Sequence, residues 1–159
     1  ALNDGQEPIF GMIDQPYIGE RFVGGLGMAF MERNGVKTSL AARKTRHLSQ
    51  ATIFTTFPEV GSPLEAEAFH TLAEQCQLTR YGMDCYAYAL LAAGQIDLVI
   101  EAGLNAYDIQ APMALVQAAG GVVSDWRGGN PMNGGRCVCA ATPELHAAAL
   151  DILREVPLG

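Results

Sequence analysis

Residues 80–127 decide the fold, and they read RYGMDCYAYALLAAGQIDLVIEAGLNAYDIQAPMALVQAAGGVVSDWR. Apolar helical runs alternate here with short apolar strands, and glycines separate them. Three acids lie at the ends of these elements: Asp84 and Asp108 each open a helix, and Glu101 ends a strand. The carboxyl ends of strands and the amino ends of helices form the rim where open α/β sheets bind ligands. The stretch therefore predicts an acidic candidate site at that rim.

Residues 1–47 predict an antiparallel meander that forms a first sheet, with strands over residues 8–13, 20–23, 28–32 and 36–38. The turns between these strands are too short for parallel crossovers. They are Asp14-Gln15-Pro16, Gly24-Gly25-Leu26-Gly27 and Asn34-Gly35. Leu2 precedes the turn signal Asp4-Gly5, so we interpret it as the end of a strand whose beginning is absent. We therefore expect this chain to be part of a longer polypeptide.

Residues 48–159 predict a second region, because strands now alternate with helices. The predicted strands cover residues 51–56, 77–81, 96–101, 122–126 and 137–141. The predicted helices cover residues 65–75, 84–93, 108–119 and 144–154, and Thr142 caps the last of them. Both regions together predict the α/β class, as an α+β layered sandwich. In it, an antiparallel meander is followed by a mixed sheet with covering helices.

The composition favours a folded protein and narrows the kinds of partner. Hydrophobic residues make up 49% of the chain and charged residues 17%, which provides enough apolar surface for a core. The formal net charge of −7 argues against nucleic acid or an anionic membrane as the main partner. No apolar run reaches the roughly 18 residues of a membrane span. Four cysteines are too few for a disulfide scaffold, so we expect reduced, mostly buried thiols in a cytoplasmic protein.

Each of the three acids has a structural explanation beside the functional one. Asp84 and Asp108 could each be only the N-cap of a helix, and Glu101 could be a solvated strand end. The functional interpretation is that a carboxylate at a helix start helps to hold a hard cation, which prefers oxygen ligands. Cys85 at a helix start could have a lowered pKa. Inert packing of this thiol is the alternative that we favour.

Two motifs in residues 82–126 carry a resemblance to a known family. The first is Tyr107-Asp108-Ile109, followed by Gly120-Gly121-Val122-Val123 and Asp125-Trp126. It is similar to the signature of the inositol monophosphatase superfamily, in which an aromatic-Asp pair opens a helix that ends in Gly-Gly. The second is Gly82-Met83-Asp84-Cys85-Tyr86 with residues 97–104, and it looks most like the histidinol-phosphate phosphatase branch. The resemblance covers essentially all 159 residues.

The resemblance implies a magnesium-dependent phosphate monoester hydrolase with a small phosphorylated substrate. Asp108 matches the metal-ligating aspartate of the family, and Gly82, Asp84 and Glu101 match substrate-binding positions. Two carboxylates near the leaving alcohol suit a cationic substrate such as histidinol phosphate better than a neutral sugar alcohol. Inositol phosphate or another sugar phosphate stays open as the substrate, and a non-catalytic binding or assembly module stays open as the function. Because the family commonly dimerises, we expect a homodimer.

Other functional segments of the family have no match in this sequence. Its further metal ligands lie in a Glu-Glu segment and an Asp-Pro-Ile-Asp-Gly-Thr segment, and Ile13-Asp14-Gln15-Pro16 is not the latter. The phosphate-binding helix start and the water-activating acid belong to the same N-terminal half. We therefore expect the C-terminal portion of the family fold, with no catalytic residue of its own and little activity alone. Met83 stands where the resemblance implies a small residue.

Overall fold

Tight turns build the first sheet in the computed structural model, which describes residues 1–157. Its five strands are antiparallel and lie in chain order: β1 (Leu2–Asn3), β2 (Pro8–Gln15), β3 (Glu20–Gly25), β4 (Met28–Arg33) and β5 (Val36–Ser39). In the turns Leu26-Gly27 and Asn34-Gly35 both central residues have positive φ, as type I′ hairpin turns require. The predicted meander is confirmed, although Gly24 and Gly25 belong to β3 and not to the turn.

The second sheet is mixed, as the alternation of strands and helices predicts. Its elements are β6 (Thr52–Thr55), α1 (Pro63–Ala73), β7 (Leu78–Tyr81), α2 (Cys85–Ala92), β8 (Leu98–Asn105), α3 (Ala106–Ala118), β9 (Val122–Ser124), β10 (Gly134–Ala140) and α4 (Pro143–Leu153). The strand order is β7-β6-β8-β10-β9. Strand β6 is parallel to β7 and β8, whereas β10 is antiparallel to β8 and β9. The predicted fold class is confirmed.

The boundary between β8 and α3 differs from the prediction at both of its acids. Strand β8 does not end at Glu101 but continues to Asn105, because its last two residues pair with Gly134 and Gly135 of β10. Helix α3 begins at Ala106, so Asp108 is its third residue and not its first. The long-range pairing with β10 cannot be seen in the local pattern of β8, and it moves both boundaries.

The helices arrange the two sheets in layers around two apolar cores. Helices α2 and α3 lie between the sheets, where Phe22 of β3, Val99 of β8 and Leu115 of α3 are buried in one cluster. Helices α1 and α4 cover the other face of the second sheet, where Phe69 and Leu145 are fully buried. Burial of each such side chain stabilises the fold by about 1.5–3 kcal/mol. Both faces of the second sheet are therefore covered.

Two glycines let α3 approach the first sheet closely. A Cβ atom on Gly11 of β2 would lie 2.1 Å from the carbonyl oxygen of Ala111. A Cβ atom on Gly24 of β3 would lie 2.4 Å from the Cα atom of Leu115. Any side chain at these positions would push the helix away, because such distances are far below van der Waals contact. The glycines therefore fix the position of α3, and with it the position of Asp108.

The two predicted regions of the chain correspond to the two sheets of the structure. All strands of the first sheet lie before residue 40, and all described strands of the second sheet lie after residue 51. The division into residues 1–47 and 48–159 stays a prediction about domains. Among residues 1–157, no helix has both the length and the apolar character that a membrane crossing would need.

Candidate active site

A cleft of about 540 Å³ lies where the parallel strands β6, β7 and β8 lead into their following segments. Asp84 follows β7, Glu101 lies on β8 just beyond its pairing with β6, and Asp108 lies on the first turn of α3. All three line this one cleft, together with Asp14 of β2. The structure therefore brings together the three acids that the sequence pattern indicates, at the kind of rim that it predicts.

Glu101 is a buried carboxylate that accepts hydrogen bonds from residues at the end of β6. Its residue exposure is 7%, so the alternative of a solvated strand end is wrong. The backbone N–H and the hydroxyl of Thr56 donate to Oε1 at 2.8 and 2.7 Å, and the hydroxyl of Thr55 donates to Oε2 at 3.2 Å. Burial raises the pKa of Glu101 above its ordinary value, against the lowering effect of these hydrogen bonds, and the charge of Asp84 adds to the rise.

Asp108 has both a capping contact and a place in the cleft. Its Oδ2 atom accepts from the backbone N–H of Asn105 at 2.8 Å and from the Asn105 side-chain amide at 3.3 Å. Within residues 1–157 its hydrogen bonds all go to Oδ2, which leaves Oδ1 for a ligand. The N-cap residue itself is Asn105, so the alternative that Asp108 is the N-cap is wrong in position. Asp108 stabilises the helix start and still has an oxygen atom for a cation.

Asp84 is exposed, and an unusual backbone segment presents it. Three successive residues have positive φ: Gly82 at 88°, Met83 at 80° and Asp84 at 46°. The N–H of Gly82 anchors the segment through the carbonyl oxygens of Thr55 and Thr56, at 3.1 and 3.0 Å. The side chain of Asp84 makes no capping hydrogen bond to α2, so the N-cap alternative does not explain this acid. Backbone strain of this kind in non-glycine residues is concentrated at functional sites.

Cys85 is not an activated thiol. It is the first residue of α2 and lines the cleft, and burial together with the charge of Asp84 raises its pKa above the ordinary value. A thiol with a raised pKa is a poor nucleophile at neutral pH. The possibility of a lowered pKa is therefore wrong. The thiol is inert, as we favoured, but it is exposed and not packed in the core.

The charge of the cleft has one sign. Its lining contains four carboxylates and no lysine, arginine or histidine. Asp14 is the one of the four that is neutralised by an ion pair, because Arg21 lies 2.9 Å from it. Within the described part of the chain, no group of three or more His, Cys, Asp or Glu side chains is arranged to hold a metal ion. A phosphate group could enter this cleft only together with cations, and the donor set present suits a hard cation through oxygen atoms.

Several lining residues were not predicted from the sequence. Asp14, Phe57 and Tyr88 line the cleft, as does Tyr107, which entered the prediction only as part of a motif. Phe57 and Tyr107 are strongly exposed at its mouth, at 68% and 81%. The signal for Phe57 was available, because the residues that follow a strand parallel to β8 lie at the same edge. Gly82 does not line the cleft, and its substrate-binding role stays a prediction.

Comparison with known proteins places the chain and its fold in a family. The sequence profile of the inositol monophosphatase family matches residues 1–158, so the chain belongs to the inositol monophosphatase family. A solved inositol monophosphatase from Zymomonas mobilis superposes with a TM-score of 0.85 at 33% identity, over 93% of this chain and 58% of that one. An inositol monophosphatase from Anabaena superposes with a TM-score of 0.80 at 26% identity, over 95% of this chain and 60% of that one.

Curated relatives have different substrates in their names. The chloroplastic bifunctional phosphatase IMPL2 of Arabidopsis thaliana is 41% identical over 77% of this chain and 34% of its own length. An inositol-1-monophosphatase of Rhizobium meliloti is 32% identical over 91% of this chain and 53% of its own length. The histidinol-phosphatase of Chlorobaculum parvum is 28% identical over 74% of this chain and 45% of its own length. The chain therefore spans between a third and about half of these curated relatives.

Strain at Met83 can be measured by substitution. Met83→Gly should be about 1 kcal/mol more stable than Met83→Ala, because only alanine keeps a Cβ atom in the left-handed region. Urea denaturation of both variants measures the difference. As a control, Glu67→Ala should be more stable than Glu67→Gly by a similar amount, because Glu67 is exposed inside α1. An alanine variant at 83 that equals or exceeds the glycine variant would contradict the strain.

Burial of Glu101 predicts a specific pH dependence of stability. Since the folded state raises the pKa of Glu101 above 4.5, its proton stabilises the fold below that pH. That contribution is lost as the pH rises through the raised value. The free energy of unfolding of Glu101→Gln, minus that of the wild type, should therefore increase between the two pKa values, by about 1.4 kcal/mol for each pH unit that separates them. Urea denaturation between pH 4 and 8 gives this difference.

Asp4→Asn is the control of opposite sign for that experiment. Backbone N–H groups of Glu7 and Gln6 lower the pKa of Asp4, so its stabilisation is present at neutral pH and is lost on acidification. Between pH 4 and 8 the difference for Asp4→Asn should be close to flat. When the titration of this variant is extended below pH 3.8, the difference should fall as the pH rises. A difference for Glu101→Gln that is flat, or that also falls, would contradict the burial cost at Glu101.

Proposed function

We propose that this chain supplies the substrate-binding wall of a magnesium-dependent phosphate monoester hydrolase. The observation that carries the proposal is that Asp84, Glu101 and Asp108 share one cleft whose lining has no cationic side chain. Family membership supports phosphatase chemistry, because the three curated relatives described above, from a plant and two bacteria, are named as phosphatases. Since this chain spans only part of their length, the activity is proposed for the protein that contains it and not for these residues alone.

The proposed metal ligand is Asp108, through Oδ1. Mg²⁺ prefers oxygen ligands and commonly binds through one or two carboxylates together with water and substrate phosphate, so one acid can be a sufficient contribution from this wall. The chemistry that the ion supplies is charge neutralisation at the phosphate and acidification of an attacking water. We propose that the remaining protein ligands come from residues outside this chain, because no cluster of three exists within residues 1–157.

The proposed substrate has a cationic organic part, and histidinol phosphate is the first candidate. Asp84 and Glu101 provide negative charge, and the exposed rings of Phe57 and Tyr107 stand at the mouth of the same cleft. Carboxylates together with aromatic faces attract ammonium and imidazolium groups. Inositol phosphate is the second candidate, because the inositol-1-monophosphatase of Rhizobium meliloti is more similar to this chain than the named histidinol-phosphatase is.

Calorimetric titration tests the metal and the substrate independently of turnover. Mg²⁺ should bind weakly alone and more tightly with inorganic phosphate. Asp108→Asn should weaken that binding by at least about 10-fold, because it removes a charged oxygen ligand. Asp14→Asn is the matched control, since Asp14 lines the same cleft but is paired with Arg21, and it should change Mg²⁺ binding far less.

The same titrations then compare histidinol with inositol, and a phosphate-release assay compares their phosphate esters. Histidinol should bind more tightly than inositol, and Glu101→Gln should reduce that preference. In the longer protein that contains this chain, phosphate release should depend on Mg²⁺ and favour histidinol phosphate. Equal effects of Asp108→Asn and Asp14→Asn would contradict the metal role of Asp108. A preference for inositol would favour the second candidate, and no binding of Mg²⁺ or of either ligand would favour a non-catalytic module.

We also propose that the protein is a homodimer. Large apolar side chains remain exposed on the strands of the first sheet, including Leu2, Met28 and Val36. Exposed apolar groups on a sheet favour association with another protein surface. Light scattering after gel filtration should give twice the 16.9 kDa mass of the chain. A single species at that monomer mass across a wide concentration range would contradict the proposal.

A further inference from the structure

The hydroxyl group of Tyr88 is buried without a hydrogen-bond partner. Tyr88 lies on α2 and is 3% exposed, and within residues 1–157 its oxygen atom meets no donor or acceptor at hydrogen-bond distance. A buried hydroxyl without a partner is costly, whereas phenylalanine would fill the same space at no such cost. The presence of tyrosine at this position therefore indicates a partner that the polypeptide does not provide.

The position of Tyr88 indicates where that partner lies. Its side chain is part of the apolar core between the sheets and also lines the cleft that holds Glu101 and Asp108. The pKa of Tyr88 lies well above its ordinary value. Burial is the largest cause, Cys137 and Cys139 come next, and the charges of Glu101 and Asp108 add to the rise. The hydroxyl therefore keeps its proton and is available as a donor near neutral pH.

A second tyrosine on the same helix provides the contrast. Tyr86 lies two residues earlier, and its hydroxyl donates to Oε2 of Glu20 at 2.6 Å. Of the two tyrosines on α2, Tyr86 thus has a hydrogen-bond partner within the fold, whereas Tyr88 has none among the described residues. Among the lining side chains other donors are few: Thr56 already donates to Glu101, and Tyr107 is exposed at the mouth. Among the described lining residues, Tyr88 is therefore the buried neutral donor without a partner, in a cleft whose charged groups are all acceptors.

We propose that Tyr88 is a binding residue of this cleft and that its hydroxyl donates to an oxygen atom of the occupant beside Glu101 and Asp108. The acceptor is either a water molecule that enters with a divalent cation or a hydroxyl group of the organic substrate. A neutral donor in a cleft lined by four carboxylates orients an oxygen that the carboxylates alone would repel. The inference deepens the proposed function and rests on it for the identity of the occupant.

Thermal denaturation of Tyr88→Phe tests the proposal, because it separates the free protein from the occupied one. Melting temperatures are measured without ligand, with Mg²⁺, with Mg²⁺ and inorganic phosphate, and with histidinol added to these. Without ligand, Tyr88→Phe should melt at the wild-type temperature or above it. With ligand, its stabilisation should be less than half of the wild-type shift. If the shift in melting temperature is already reduced with Mg²⁺, the acceptor is water. If the shift is reduced only when histidinol is added, the acceptor is the substrate.

Tyr86→Phe is the matched control, since it removes a hydroxyl with an internal partner. It should lower the melting temperature without ligand and keep the full ligand-induced shift. A full ligand-induced shift in Tyr88→Phe would overturn the role of Tyr88 while leaving the proposed function intact. A lowered melting temperature of ligand-free Tyr88→Phe would also overturn it, because the hydroxyl would then have an internal partner. Absence of any shift in the wild-type protein would overturn both proposals.

Discussion

The close approach of α3 to the first sheet sets the position of this helix, and with it one edge of the cleft. Gly11 and Gly24 have no side chains, and the backbone of the helix occupies the space where those side chains would be. This contact holds α3 between the two sheets, with Leu115 fully buried on it. Because the helix is fixed along its length, its first turn has a fixed position at the edge of the cleft. The location of Asp108 is thus a consequence of the contacts at Ala111 and Leu115. These residues lie roughly 5 and 10 Å further along the helix, at about 1.5 Å per residue.

The second sheet places the other acids by a different means. Strand β6 holds Glu101 through Thr55 and Thr56, so the carboxylate that it buries is aligned by the neighbouring strand. The segment after β7 presents Asp84 through consecutive residues with positive φ. The fold therefore keeps negative charges together at one edge, although like charges repel each other. The buried carboxylate of Glu101, its repulsion from Asp84 and the strained backbone before α2 all destabilise the fold at this edge. A role in ligand binding explains why they are found together there.

The sequence was sufficient for the architecture because apolar periodicity and glycine turns are local signals. It also located the three acids at the correct edge, because the carboxyl ends of parallel strands meet there. It was not sufficient where a residue far away in the sequence determines an element boundary or the environment of a side chain. The end of β8 depends on Gly134 and Gly135 of β10, and the free hydroxyl of Tyr88 is visible only when all its neighbours are known. The thiol of Cys85 was ambiguous for the same reason, since its pKa depends on burial and on the charge of Asp84.

We propose that Asp84 before α2, Glu101 on β8 and Asp108 on α3 surround one cation-binding cleft. Crystals grown with Mn²⁺ in place of Mg²⁺ test it most directly, because anomalous scattering locates the ion without assumptions about ligands. We expect an anomalous peak in the cleft, roughly 2.1 Å from Oδ1 of Asp108, on the side that faces Glu101 and Asp84. A peak elsewhere with this cleft empty at saturating Mn²⁺ would contradict it.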